Sequence, residues 1–220
     1  MFVGYGQLAK AMIEILPNDQ IIQVFSRSKE AILQSKRENI KWIGRENFYE
    51  EKEVWLFLPE KAIPRFLQEH VEDLHPHAKI YYCATKGKAK DVQSLIKRTQ
   101  SIIPVKFITQ ATQLMKDRKG LAGIPRANVG EMESIRTFFK GAIDIVRAEE
   151  EEVYFVNKIA TKIAIEAICE FEEELNNRDI SQEIIEHAGK QMIPGVIHAY
   201  LHNKLGGFGQ QVLKERKSDQ

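Results

Sequence analysis

The sequence contains very little cysteine and almost no net charge. Cys83 and Cys169 are the only cysteines in 220 residues, and their separation matches no metal-ligand spacing. We interpret both as buried, reduced thiols of a cytosolic protein, because disulfides persist mainly in oxidising compartments. Lysine and arginine number 32 and aspartate and glutamate 31. This balance leaves no basic excess to neutralise phosphates, so we expect no nucleic-acid partner.

Long apolar runs are also absent. No stretch approaches the length that spans a bilayer, so we expect no membrane partner. The first residues, Met1-Phe2-Val3-Gly4, lack the charged segment and apolar core of a signal peptide, which favours a cytoplasmic protein. With 43% hydrophobic and 29% charged residues, the composition predicts one globular domain, alone or with a smaller companion.

Apolar stretches alternate with helical patterns through the first two-thirds of the chain. The run Val54-Trp55-Leu56-Phe57-Leu58 stops at Pro59 and is typical of a parallel strand buried on both faces. The strands predicted in this way are 2–3, 21–25, 54–58, 79–83, 105–108, 120–124 and 143–146. The helices predicted between them are 8–16, 28–36, 62–74, 91–99 and 131–141. This alternation predicts an α/β fold with a doubly wound parallel sheet and right-handed crossovers.

The acidic run Glu149-Glu150-Glu151-Glu152 precedes a part of the sequence that has only helical patterns, 153–175 and 181–202. We therefore predict two domains, 1–150 and 151–220. Apolar residues in the first of these helices cover more than one face, so other helices have to enclose it. About seventy residues are too few to do so. We expect a second copy of the chain to supply the missing cover, which makes the protein a homodimer.

A glycine-rich turn follows the first predicted strand. Gly4-Tyr5-Gly6-Gln7-Leu8-Ala9 fits the pattern G-x-G-x-x-G/A of dinucleotide-binding folds. The first glycine permits the tight turn, and the second lets a pyrophosphate approach the backbone at a helix N-terminus. The third small residue lets the helix pack closely on the strand. The first strand itself is unusually short: either residues are missing at its start, or translation begins upstream.

The end of the second predicted strand carries two hydroxyls and a guanidinium. A domain that prefers NAD places Asp or Glu there to bind the ribose 2′-hydroxyl, whereas this chain has Ser26-Arg27-Ser28. Arginine and serine can bind a 2′-phosphate through charge-assisted hydrogen bonds, so these residues predict NADP(H). In the alternative interpretation Ser28 only caps a helix and Arg27 is a solvated surface residue.

These segments resemble the pyrroline-5-carboxylate reductase family. The opening Gly4-Tyr5-Gly6-Gln7-Leu8-Ala9 and the segment Ser26-Arg27-Ser28 are similar to that family's phosphate-binding segments. Leu58 and Pro59 resemble the segment that borders the dinucleotide, and Ala84-Thr85 lie in the family's small-residue turn. The resemblance covers residues 1–148 clearly and implies a Rossmann-type domain that binds NADP(H), followed by a small helical dimerisation domain.

The substrate side of the sequence departs from that family. Ile108-Thr109-Gln110-Ala111-Thr112 replaces the Met-Pro-Asn-Thr-Pro segment, and Ile159-Ala160-Thr161-Lys162 lies where a Ser-Gly-Ser-Gly-Pro-Ala segment is expected. Two hypotheses follow. The chain is either an NADPH-dependent reductase of a C=N or C=O group in a small metabolite, or a protein that binds NADP(H) without turnover, in an accessory or regulatory role.

Three residues are candidates for catalysis. Lys158 and Lys162 stand one helical turn apart near the predicted domain junction, where a proton donor would be needed. The alternative is that both lysines are solvated or paired with acids. Thr112 follows a predicted strand at the sheet edge where ligands bind, although an ordinary loop residue at that place would need no special role. His198 and His202 have a metal-compatible spacing without a third ligand, so we predict no metal site.

Overall fold

The computed structural model describes residues 1–35 and 37–218. Its strands are β1 (Phe2–Val3), β2 (Ile22–Phe25), β3 (Ile40–Trp42), β4 (Glu53–Leu56), β5 (Lys79–Tyr82), β6 (Ser101–Pro104), β7 (Lys106–Phe107), β8 (Gly120–Ile124) and β9 (Ile143–Arg147). Its α-helices are α1 (Gln7–Ile15), α2 (Lys29–Leu33), α3 (Ile63–His70), α4 (Ala111–Asp117), α5 (Met132–Phe138), α6 (Glu150–Asn176), α7 (Gln182–Leu201) and α8 (Gly207–Ser218). Within the described ranges, no helix is both long and apolar enough to cross a bilayer.

The strands confirm the predicted α/β fold with a parallel, doubly wound sheet. Six strands pair in parallel in the order β3-β2-β1-β4-β5-β6, and a second sheet has the order β7-β8-β9. In that second sheet, β7 runs antiparallel to β8, and β8 runs parallel to β9. The strand β1 therefore lies in the middle of the large sheet, between β2 and β4.

Several predicted boundaries were wrong. The predicted strand 105–108 corresponds to β7, which covers Lys106–Phe107 and belongs to the second sheet. The strand β6, which pairs with β5 over Ser101–Pro104, was missed. Pro104 argues against a strand at this place in the sequence, but a proline is tolerated there because β6 is an edge strand. The short strand β3 was missed. The predicted helix 91–99 is a 3-10 helix over Ala89–Leu95. The predicted helix 28–36 is helical over Lys29–Leu33, and its last residue, Lys36, lies outside the described residues.

The large sheet is buried on both faces because successive side chains point to opposite sides of a strand. Trp55 and Tyr81 lie in the core on one face, where their rings stack with centroids 4.0 Å apart. Leu56 and Tyr82, the next residue in each strand, lie in the core on the other face. Both faces therefore need apolar residues, which explains the continuous apolar runs in the sequence.

Two arginines stabilise the C-terminal end of α1. Arg37 Nη2 donates hydrogen bonds to the carbonyl oxygens of Ile13 (3.1 Å) and Leu16 (3.0 Å). Arg118 Nη2 donates to the carbonyl oxygen of Glu14 at 3.2 Å. Cations at this end of a helix interact favourably with its dipole and satisfy carbonyl groups that lack helical partners. These bonds anchor the helix at the end opposite the glycine turn.

The chain divides into two compact units, Met1–Lys158 and Ile159–Gln220. The second unit contains most of α6 together with α7 and α8. Many of its large apolar side chains are exposed, among them Ile163 at 59% and Phe208 at 80%. Cys169 also lies in this unit and is exposed, so the expectation that both thiols are buried was wrong for this one. Its helix places it on a face that the described residues of the unit leave uncovered.

Candidate functional site

Three clefts lie along the carboxyl ends of the parallel strands in the first unit. The first, of about 430 Å³, is lined by the glycine turn after β1, by Ser26 and Arg27 after β2, and by Leu58 and Pro59 after β4. Carboxyl ends of neighbouring parallel strands share one edge of the sheet, which is where ligands bind in such folds. The strand order β2-β1-β4 thus brings together segments that are far apart in the sequence.

The second and third clefts continue from the first. The second, of about 400 Å³, shares Gly6, Leu58 and Pro59 with the first and adds the start of α1 and the turn after β5. Its further lining residues include Gln7, Leu8, Ala84, Thr85 and Lys86. The third, of about 440 Å³, shares Thr85 and Lys86 with the second and extends to the first turns of α6. Neighbouring clefts therefore have common walls.

The two glycines of the turn have different roles. Gly4 has a φ of 99°, and a Cβ atom there would overlap the carbonyl oxygen of Phe57, so only glycine fits. A Cβ atom on Gly6 would have no atom within 4 Å, because this residue faces the open cleft. Gly6 is also the N-cap of α1 and supplies no side-chain cap. The first amide groups of the helix thus remain available to an anion.

The segment after β2 presents an unpaired cation to the first cleft. Arg27 is exposed, and within the described part of the chain it forms no ion pair. The Ser26 hydroxyl accepts a hydrogen bond from the Ser28 amide at 3.3 Å. Ser28 occupies the N-cap position of α2, but its side chain makes no capping hydrogen bond. It also lies outside the lining of the first cleft, so the segment contributes Ser26 and Arg27 to it.

Helix α3 lines the first cleft, and sequence reasoning missed it. Arg65, Phe66, Glu69 and His70 all lie on the cleft wall. Arg65 is paired with Glu69 at 2.7 Å, and the His70 ring packs on Phe66 with centroids 5.1 Å apart. A signal was present: the helix follows closely after β4 and Pro59, so its start had to border the same edge of the sheet.

The turn at residues 84–87, after β5, is held from behind by a buried lysine. Lys106 is 1% exposed, and its Nζ lies 2.6 Å from Ala84 O, 3.0 Å from Gly87 O and 3.0 Å from Glu150 Oε2. Burial lowers the pKa of Lys106, and the carboxylate of Glu150 opposes that shift. The ammonium also lies 4.1 Å from the centroid of the Tyr82 ring. Burial raises the pKa of that phenol to about 12.

The acidic run at the start of α6 does more than mark a change of secondary structure. The carboxylate of Glu150, which pairs with Lys106, also accepts a hydrogen bond from the Ala89 amide at 3.1 Å. Glu151 forms an ion pair with Lys88. Glu149 accepts the amide of Arg126 at 3.1 Å, and its own amide donates to Glu152. Carboxylates in the first turn of a helix also interact favourably with its dipole. The run therefore attaches α6 to the loop that follows β5.

Two of the three catalytic candidates are not lining residues of the clefts, and the third lies in the other unit. Thr112 is exposed on the first turn of α4, and Lys158 is exposed with its Nζ 5.8 Å from the centroid of the Tyr154 ring. Neither is among the described residues that line the three clefts. Lys162 belongs to the second unit and lies 3.5 Å from Glu166 in an i,i+4 pair. A catalytic role for these residues remains a prediction.

Comparison with known proteins supports the fold. The sequence matches no protein-family model and no curated protein sequence. A pyrroline-5-carboxylate reductase from Coxiella burnetii superposes with a TM-score of 0.69 at 15% identity, over 99% of this chain and 89% of that one. The Plasmodium falciparum pyrroline carboxylate reductase with NADP bound has a TM-score of 0.64 at 12% identity, over 97% and 82%.

A third similar structure is a Streptomyces aurantiacus imine reductase, with a TM-score of 0.61 at 12% identity, over 94% of this chain and 79% of that one. The resemblance inferred from the sequence is thus confirmed for the fold, which this chain shares with the two pyrroline-5-carboxylate reductase structures. At these identities the likeness concerns architecture. Binding and chemistry have to be argued from the residues of this chain.

Proposed function

We propose that this protein is an NADP(H)-dependent reductase that acts on a C=N or C=O bond of a small metabolite. The observation that carries the proposal is the guanidinium of Arg27, which has no ion-pair partner among residues 1–35 and 37–218, in the same cleft as the glycine turn and the start of α1. A cation and a helix N-terminus are the two features that a dinucleotide with an additional phosphate requires. One of the solved structures that share this fold is described with NADP bound.

The lining residues fit the cofactor. Amide groups at Gly6, Gln7 and Leu8 would bind the pyrophosphate, and the conformation of Gly4-Tyr5 sets the direction of the turn. Ser26 and Arg27 would bind the 2′-phosphate, with Ser28 supporting the loop. Leu58, Pro59, Ala84 and Thr85 would border the dinucleotide on the other side. The nicotinamide, when bound, supplies the hydride; the protein binds it, orients it and limits access of water.

The helical unit supports a homodimer. Its exposed apolar side chains, such as Ile163 and Phe208, are of the kind that a second copy would cover. We propose that the protein acts as this dimer in the cytoplasm. Thr112, Lys158 and Lys162 remain the proposed donors of the substrate proton, and the substrate is an imine or carbonyl compound small enough to reach the cofactor.

A second function, binding of NADP(H) without turnover, is favoured by one observation. Thr112 and Lys158 are not among the described residues that line the clefts. A protein in which the cofactor residues are assembled and the catalytic candidates are not would bind the dinucleotide and act as an accessory or regulatory protein.

Two measurements separate these functions. NADPH binding is measured first, by fluorescence titration with NADH as the comparison. Oxidation of NADPH is then followed by the decrease in its absorbance, with pyrroline-5-carboxylate and with a panel of cyclic imines and keto acids as substrates. Turnover of any panel member supports the reductase. Micromolar NADPH binding without turnover supports the second function, and absence of binding to either coenzyme contradicts both.

A further inference from the structure

We propose that Lys106 is a positioning residue that fixes the turn at residues 84–87 for the nicotinamide half of the cofactor. This inference rests on the proposed function and adds a residue that does not touch the cofactor. Lys106 lies in β7, its side chain is 1% exposed, and the sequence pattern around it is that of an apolar strand. A lysine at such a position needs a specific reason, because charged residues are almost never fully buried unless they are paired.

The contacts of Lys106 use its full hydrogen-bonding capacity. An ammonium group has three donors, and here three acceptors lie within 3.0 Å: Ala84 O, Gly87 O and Glu150 Oε2. Two of them are the first and last carbonyl groups of the turn. A single side chain therefore fixes both ends of the turn, and the negative charge of Glu150 offsets the cost of burying the cation.

The first turn of α6 holds the residues that directly follow this turn. Glu150 also accepts the amide of Ala89 at 3.1 Å, and Glu151 pairs with Lys88. Gly87 has a φ of 82°, a conformation that other residues rarely adopt, so the loop is bent sharply between these two attachments. The geometry of the loop is thus set by its contacts with β7 and α6 together with the glycine at position 87.

Sheet topology indicates which part of the cofactor this turn meets. The order of neighbouring strands is β2-β1-β4-β5. With the 2′-phosphate at Arg27 after β2 and the pyrophosphate at the turn after β1, the remaining half of the dinucleotide extends across the ends of β4 and β5. Thr85 and Lys86 line the second and third clefts at that place. Lys106 lies behind these residues and positions them without reaching the adenylate half.

The test compares two ligands that share the adenylate half. NADPH contains both halves, whereas adenosine 2′,5′-bisphosphate has the 2′-phosphate and one further phosphate but no nicotinamide. We expect Lys106→Met to raise the Kd of NADPH at least about tenfold, or about 1.4 kcal/mol. The Kd of the bisphosphate should change by less than about twofold. Glu150→Gln keeps an oxygen acceptor and loses the charge, so it should show the same selectivity with a smaller effect.

Lys79→Met is the matched control. Lys79 also lies in a strand, β5, and pairs with Glu131 at 2.8 Å, but it stands at the opposite end of that strand from the turn. We expect this variant to bind both ligands as the wild type does. The melting temperature of each variant is recorded, and Glu150→Gln provides the test if Lys106→Met does not fold.

Two outcomes overturn the inference. An equal loss of affinity for both ligands in Lys106→Met would mean that Lys106 acts only on general stability. Unchanged NADPH affinity would mean that the turn needs no support from Lys106. In either case the wild type still binds NADPH, so the proposed function survives. A wild-type protein that binds neither ligand overturns the proposed function and this inference together.

Discussion

Replacing Arg27 tests the cofactor assignment most directly. The guanidinium lies on the wall of the first cleft and forms no ion pair within the described residues. Removing it therefore breaks no ion pair among the described residues, and surface changes of this kind usually alter stability by less than about 0.5 kcal/mol. The effect of Arg27→Ala should appear in ligand binding alone.

The magnitude follows from the kind of contact that is lost. A hydrogen bond to a charged group contributes about 1.5–3 kcal/mol, and the exposure of Arg27 favours the lower end of that range. We expect the Kd of NADPH to rise about tenfold to thirtyfold, and the Kd of NADH, which has no 2′-phosphate, by less than about twofold. Arg27→Asp should discriminate further against NADPH, because its carboxylate repels the phosphate and can accept a bond from the 2′-hydroxyl of NADH.

Fluorescence titrations with both coenzymes, at low and at physiological salt, measure these changes. The control is Lys29→Ala, because Lys29 is an exposed cation two positions away whose Nζ lies 4.3 Å from the centroid of the Trp42 ring, outside the lining of the first cleft. This variant should bind NADPH as the wild type does. Equal loss of NADPH and NADH affinity in Arg27→Ala would refute the assignment, as would equal loss in the two variants.

Three further predictions concern the turn, the titration of the core and the assembly. Gly4→Ala should destabilise the fold by at least about 2 kcal/mol in urea, because Gly4 has a positive φ and an added Cβ atom meets Phe57 O. Gly6→Ala should leave the stability unchanged and lower the affinity for NADPH, since the added methyl group enters only the open cleft. Equal destabilisation by the two substitutions would contradict this division of roles. Tyr82 has a pKa raised from 10.0 to about 12, so its contribution to stability is complete below pH 10 and is lost as the pH rises towards 12. The free energy of unfolding in urea should therefore fall more steeply between pH 8 and pH 11 for the wild type than for Tyr82→Phe. Parallel pH dependences in the two proteins would argue against the raised pKa. Light scattering should show a dimer that Ile163→Asp converts to a monomer, because the change places a charge on an exposed apolar face; a monomeric wild type would exclude the dimer.

Local pattern was sufficient for the elements that chemistry constrains most strongly. The glycine turn was predicted correctly because Gly4 has to adopt a positive φ and Ala9 has to be small, being 0% exposed against the sheet. The buried parallel strand at β4 was visible because both of its faces are covered. By contrast, β3 is only three residues long, and β6 contains a proline that only its edge position permits. The local sequence of these two strands is therefore not sufficient to identify them as strands.

The residues alone therefore determined a parallel α/β sheet, the position of the glycine turn and the presence of Ser26 and Arg27 at a strand end. Only the tertiary structure decided what surrounds them. Helix α3 borders the cleft because the strand order brings β4 beside β1, and Lys106 reaches the turn after β5 because β7 leaves the large sheet there. Contacts of this kind depend on which strands become neighbours, and strand order arises from the packing of the whole chain rather than from any local pattern.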